Sequence, residues 1–354
     1  MAVITVLGEK KEDCLGIVAM HEHLLLDAWS SWTVEKMPKI TEATKKELFL
    51  QKVAMSNLSE LKLNAIAVLD NIILSDIGLA IEEVLDFKKY GGDTLVDLTN
   101  EKMGRDPVAL KKISRITGLN IITCTGIFVE DIHPEYVESY SIEDIAGIMV
   151  KEIMEGIGDT GIRAGIIGEI GVSRGILKNE IKVLKASAIA QKETGVGLSI
   201  HIWPFGFDGI KVLDILEKAG VDLRKVIICH VDGHQNLDYQ KELLNRGSFI
   251  EFDHFGKEFR EVTKNEIFII PNDLERIQMI YELISCDDSY IDRILISTDR
   301  CLKTELLKYG GFGYGHILKT IQSYMKKTGF KGKHIDKMLK ENPKNILTFE
   351  KSNL

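Results

Sequence analysis

A (β/α)8 barrel, the TIM-barrel architecture, is what this sequence predicts, with a helical insertion after the first strand. Three observations point there. Eight short apolar runs recur along the chain, most of them bounded by turn residues. Several are apolar throughout instead of alternating, as parallel strands covered on both faces are. Segments with helical spacing lie between them, and strand–helix alternation of this length implies right-handed βα units. No repeat, low-complexity tract or flexible linker interrupts the series. The 354 residues are therefore read as one domain, 1–354, a length that a single barrel accommodates.

In chain order the runs are 15–20, 94–98, 120–124, 164–170, 197–200, 225–229, 248–252 and 293–297. The stretch between the first two is far too long for one crossover helix. It holds Trp29, Trp32, a charged helical segment near 41–59 and the apolar run 64–69, and is read as an insertion over the barrel mouth. The run 64–69 is the alternative for the second strand. A helix over 76–90 follows, with Ile77, Leu79, Ile81, Val84, Leu85 and Phe87 on a broad apolar stripe. The helix over 141–157 opens with Ser141-Ile142-Glu143-Asp144, close to a capping box. Further helices are predicted over 179–194, 209–219, 237–246 and 272–285. Gly220 and Gly247 stand where helix C-terminal caps belong.

Composition narrows the function. Lys plus Arg is 45 against 53 Asp plus Glu, a formal net charge of −8, which argues against wholesale binding to nucleic acid or anionic membrane. A small basic pocket for one anionic substrate is still compatible with it. No apolar run approaches the roughly 18 residues that span a bilayer. Cys14, Cys124, Cys229, Cys286 and Cys301 are odd in number and form no Cys-x-x-Cys pair, so no disulfide scaffold is expected. The opening residues lack the pattern of a signal peptide. The expectation is a cytoplasmic protein acting on a small molecule.

Six ligand-type side chains stand at or near the downstream ends of the strand-like runs: His21, His23, Glu169, His201, His230 and Asp299. In a strand, positions i and i+2 share a side, so His21 and His23 can reach one ion. Glu169 ends an apolar run, where burying a lone carboxylate is costly unless cations offset it. His201 and His230 occupy the same place on successive strands. Asp299 follows the last strand, where it can bind a metal and take a proton from water activated there. A helix cap is the plainer alternative for Asp299.

The chain resembles the phosphotriesterase family of the amidohydrolase superfamily, in its phosphotriesterase homology protein and lactonase branch. The resemblance rests on His21-Glu22-His23-Leu24, Thr123-Cys124-Thr125-Gly126, the segment 163–171, His201, Cys229-His230-Val231-Asp232, Phe252-Asp253, Ser297-Thr298-Asp299, the segment 309–314 and Glu341-Asn342-Pro343. It implies two divalent ions, zinc first, with manganese, cobalt or nickel as alternatives. His21, His23 and Asp299 would hold the more buried ion, His201 and His230 the more exposed one. Glu169 stands where many members carry a carboxylated lysine that bridges the pair. His254 matches a histidine that relays the aspartate's proton, but the outer acid position reads Gly233, with Asp232 just before it. Homodimers are common in that family.

The reaction so implied is ester hydrolysis by a metal-bridging hydroxide. Family precedent favours a small sugar lactone. Lys257, Arg300 and Lys303 in the last two loops suggest a phosphorylated one, as substrate-binding cations. The rival activity is a phosphotriesterase, with Trp29, Trp32, Phe128 and Trp203 forming apolar subsites. A metal-binding barrel without catalysis is the third reading, and the resemblance ranks an amidase or deaminase below the ester hydrolases.

Overall fold

The computed structural model describes residues 1–27, 43–258, 260–262 and 266–349. Eight parallel strands form one sheet: β1 (Val18–Glu22), β2 (Thr94–Asp97), β3 (Asn120–Thr125), β4 (Ile166–Val172), β5 (Leu198–Ile202), β6 (Val226–Ile228), β7 (Phe249–Phe252) and β8 (Ile294–Ile296). They pair in chain order, so each crossover returns to the adjacent strand. Every one overlaps a predicted apolar run. Val18, Val96, Ile122, Ile166, Ile227 and Leu295 belong to one buried cluster that draws on every strand but β5. Val3, Leu15, Ile346 and Leu347 join that cluster from outside the strands.

The ring closes between β1 and β8 through side chains and one backbone bond instead of a regular ladder. The His21 N–H donates to Ser297 Oγ at 2.9 Å, Ser297 Oγ lies 2.9 Å from the His21 carbonyl, and the Asp299 N–H donates to that same carbonyl at 3.0 Å. Buried Glu22 completes the seam. Its carboxylate accepts from Thr298 Oγ1 at 2.6 Å, Thr298 N–H at 3.0 Å and Arg300 N–H at 3.0 Å, with Ser297 Oγ, whose one proton serves either it or the His21 carbonyl, 3.0 Å away. Removing the acceptor leaves buried donors without partners, each costing about 1–3 kcal/mol. Glu22→Ala is therefore expected to destabilise the fold by roughly 3 kcal/mol, read as a lower urea midpoint. An unchanged midpoint would mean that the seam closes without it.

Helices follow the predicted spacing. Ile77–Lys89 is capped by Asp76, whose side chain accepts from Leu79 N–H, and Ile142–Met154 by the Ser141/Asp144 capping box. Gly220 and Gly247 follow their helices at φ 79° and 94°, the left-handed turn that glycine takes without strain. The insertion contains helices Ala43–Phe49 and Leu58–Leu63. Its ends meet in a short antiparallel ribbon, Leu26–Asp27 against Ile73–Leu74. The run 64–69 is not a strand. Asn64 bends it, its Oδ1 accepting from Ile66 N–H at 3.2 Å and its carbonyl from Ala67 N–H at 3.0 Å, the local bonding that competes with a ladder. Trp29 and Trp32 lie outside the described residues. Among the described residues no helix is long and apolar enough to cross a membrane.

Candidate metal centre

Each strand end contributes according to its local backbone. The pairing of β1 with β2 shifts register between Ala19 and Glu22, and that of β4 with β5 between Ile167 and Ile170, where Glu169 sits. His230 and Asp299 adopt φ 59° and 44°, which L-residues rarely do. Such conformations cost about 1–3 kcal/mol and persist only where surroundings impose them. For His230, the surroundings are the two Asp253 carboxylate oxygens, each 3.2 Å from its N–H.

The six predicted side chains converge. His21 Nε2 lies 3.5 Å from Glu169 Oε1 and 3.7 Å from Asp299 Oδ1. His23 Nε2 is 3.2 Å from Asp299 Oδ1 and 3.9 Å from Glu169 Oε2. On the other side of Glu169, His230 Nε2 is 3.1 Å and His201 Nδ1 2.9 Å from Oε1, and these two nitrogens are 2.8 Å apart. The donors thus form two groups that share Glu169. His201 is the most solvent-accessible of the six, its side chain 20% exposed, and the Phe128 ring packs 4.7 Å from its own.

Asp253 accounts for the orientation of one histidine in each group. Its Oδ2 is 3.1 Å from His21 Nδ1 and its Oδ1 2.9 Å from His230 Nδ1. With those Nδ1 atoms donating to the carboxylate, both Nε2 lone pairs face Glu169. His21 Nε2 is buried and has no hydrogen-bond partner. An unpartnered imidazole nitrogen aimed among two carboxylates and a second imidazole is the donor set that a divalent ion takes. His23 Nδ1 is held at 2.9 Å by Thr99 Oγ1.

Charge in the cluster is strongly coupled. Burial pushes the Glu169 carboxyl up, but His21 and His201 beside it prevail and hold it well below the usual carboxylate range. Burial lowers the His230 imidazole, yet Asp253 and Glu169 carry it up to about 10. The acids favour positive charge on His21 and His230, whereas burial lowers His201, and a bound cation supplies positive charge while displacing protons. Below them, burial and the neighbouring Asp253 raise Glu251 to about 8.

The sequence profile of the Phosphotriesterase family matches residues 1–347. The chain belongs to the phosphotriesterase family. It is 37% identical over 351 residues to an N-acetyltaurine hydrolase of Xenopus tropicalis, covering 98% of each chain. Among solved structures it is similar to a resiniferatoxin-binding protein from Rhodobacter sphaeroides (35% identity, TM-score 0.91, 98% and 94% of the two chains). It is also similar to the phosphotriesterase homology protein of Escherichia coli, solved with phosphate in its active site (29% identity, TM-score 0.76, 95% and 100%). Family membership makes the protein a hydrolase of a metal-dependent family whose fold is the observed barrel.

The remaining sequence candidates have definite places. His254 Nδ1 meets Asp232 Oδ1 at 2.8 Å, and Asp232 Oδ2 accepts from Arg276 Nε at 2.8 Å, so the acid beside Gly233 is the partner of His254. Asp299 Oδ2 lies 3.9 Å from His254 Nε2 but only 2.6 Å from Lys257 Nζ. The three cations considered for an anion pocket are engaged inside the protein. Lys257 pairs with Asp299; fully buried Arg300 donates from Nη2 to the Phe255 carbonyl at 2.9 Å and from Nε to the Gly313 carbonyl at 3.3 Å. Lys303 pairs with Asp70 of the insertion at 2.7 Å. Asp253 and Arg276 were not singled out from sequence. Asp253 stands in the sequence reading only within the Phe252-Asp253 match, without a role.

Proposed function

We propose that this protein hydrolyses the amide of a short N-acylated amino-sulfonate of the N-acetyltaurine class. Two divalent ions would serve the reaction, one held by His21, His23 and Asp299, the other by His201 and His230, with Glu169 between them. Zinc suits these donors, as do manganese, cobalt and nickel. Such ions supply Lewis acidity toward the carbonyl oxygen and make water nucleophilic near neutral pH. The observation that carries the hydrolytic reading is the sharing of Glu169 by two imidazole groups. The relatives named N-acetyltaurine hydrolase, similar over nearly the whole chain, support the substrate class.

The chain's own residues have separable tasks. Asp299 turns Oδ1 to His21 and His23 and Oδ2 to Lys257. Oδ2 is thus the oxygen that can accept the attacking water's proton and return it to the departing nitrogen, which leaves as an amine only when protonated. Lys257, in direct contact with that oxygen, assists the transfer, and His254, oriented by Asp232, is the second group beside it at 3.9 Å. Water adds to the acyl carbon, the C–N bond breaks, and a carboxylate and an amine are released.

A phosphorylated sugar lactone draws no support from Arg300, which is fully buried, or from Lys303, which pairs with Asp70. The test is a panel of N-acetyltaurine, sugar lactones with and without phosphate, and paraoxon, run on protein reconstituted with Zn, Mn or Co. The expected result is the highest kcat/KM on N-acetyltaurine. Chelation should remove activity and any one of the metals restore it. Preference for a lactone or for paraoxon would overturn the amide assignment, and bound metal without turnover of any substrate would overturn catalysis.

A further inference from the structure

We propose that Arg174, in the loop after β4, recognises the anionic end of the substrate. This rests on the reading above that the substrate is a short acylated amine carrying a sulfonate or a similar anion. Arg174 holds its guanidinium carbon 4.6 Å over the Trp203 ring, a cation–π contact. Trp203 follows the candidate ligand His201 by two residues, which is about 7 Å of extended chain. The charge above that ring thus belongs to the loop that continues the strand bearing His201, on the rim where the six donors converge.

The ring is fixed. Phe268, on the short hairpin Arg260–Val262 and Ile267–Ile269 after β7, packs at 5.1 Å from Trp203 and 4.9 Å from Phe205. The loops after β4, β5 and β7 therefore meet at Arg174. Its ionic partner is Glu266, at 3.3 Å, immediately before the hairpin's second strand. Arg174 is 61% and Glu266 49% exposed, and exposed pairs contribute about 0–1 kcal/mol. Such a contact exchanges readily. Glu266 keeps the place of a ligand anion, and a sulfonate or carboxylate would receive the planar N–H fork in its stead.

Four other cations among the described residues are committed. Lys257, Arg276, Arg300 and Lys303 are bound to Asp299, Asp232, main-chain carbonyls and Asp70, and all four are largely or wholly buried. Of these basic residues and Arg174, only Arg174 presents its charge to solvent. The aromatic shelf beneath it would guide the two-carbon spacer of a taurine-like amine while excluding water from the charged end.

The experiment compares Arg174→Ala and Arg174→Lys with the unaltered, metal-reconstituted enzyme. The substrates are N-acetyltaurine and N-propylacetamide, an uncharged amide of similar length. Loss of a charge-assisted contact should raise KM for N-acetyltaurine roughly tenfold or more in Arg174→Ala. The kcat should stay near its original value, because the interaction is equal in ground and transition states. Turnover of N-propylacetamide should not change, and Arg174→Lys should recover part of the KM. An unchanged KM for N-acetyltaurine overturns the assignment of Arg174 and leaves the proposed activity standing. Equal loss on both substrates also overturns it, since that is the mark of a structural role. If the unaltered enzyme fails to cleave N-acetyltaurine, the proposed activity itself falls, and this inference with it.

Discussion

Glu169→Gln is expected to strip the centre of divalent metal and to lower kcat/KM by roughly 10³-fold or more, the scale on which groups that act as a unit fail. Gln keeps the volume and both polar atoms of Glu but removes the negative charge. All four histidines approach Glu169, from 3.9 Å at His23 to 2.9 Å at His201, whereas Asp253 meets one ring of each group. Without its charge, the two histidine groups would lose the anion that offsets a bound cation. The His201 and His230 nitrogens, 2.8 Å apart, would keep only a proton to relieve their contact. Metal analysis of the purified variant beside its activity tests this. A variant that retains the unaltered protein's metal content and turnover would show that the carboxylate does not hold the pair.

Asp299→Asn is the second large effect, an expected fall in kcat on the order of 10³-fold. Asn can still offer an oxygen to an ion, but it cannot accept a proton. The loss should therefore appear in kcat more than in metal content. The neighbours of Oδ2 sharpen the test. Lys257 Nζ at 2.6 Å is in direct hydrogen-bond contact, whereas His254 Nε2 at 3.9 Å is beyond it. Lys257→Met is expected to cost about 10²-fold in kcat and His254→Asn about tenfold. The pH profiles should differ too, with a limb moving on loss of whichever group assists the transfer. If His254→Asn costs more than Lys257→Met, proton movement runs mainly through the His254–Asp232 pair, and Lys257 only positions Asp299.

Much of the barrel is legible in the chain because its signals are local. β4 is buried along its entire length, and its sequence reads as an unbroken apolar run except at Glu169. Helix Ile142–Met154 announces itself through Ser141 and Asp144. The helix Pro107–Thr117 was not read, although Pro107 at its start and Gly118 at its left-handed end mark its limits. The run 64–69 misleads for the opposite reason. Its apolar residues suit a strand, but Asn64 bonds its own neighbours and bends the chain.

The six converging donors could be named beforehand because a short apolar run ends beside each, and neighbouring parallel strands carry their ends to one rim. Sequence determines that much: residue type, strand end and, for His21 and His23, a shared side. Which polar group meets which was decided only in three dimensions. Asp253 stands 232 positions from His21 and 23 from His230, yet holds both rings. Arg300 and Lys303 are indistinguishable from substrate-binding cations in a linear reading. The fold gives one to buried carbonyls and the other to an aspartate 233 residues away. The physical reason is range. Backbone preference and apolar periodicity act over a few residues, whereas a buried charge must find its partner wherever the closed barrel brings one.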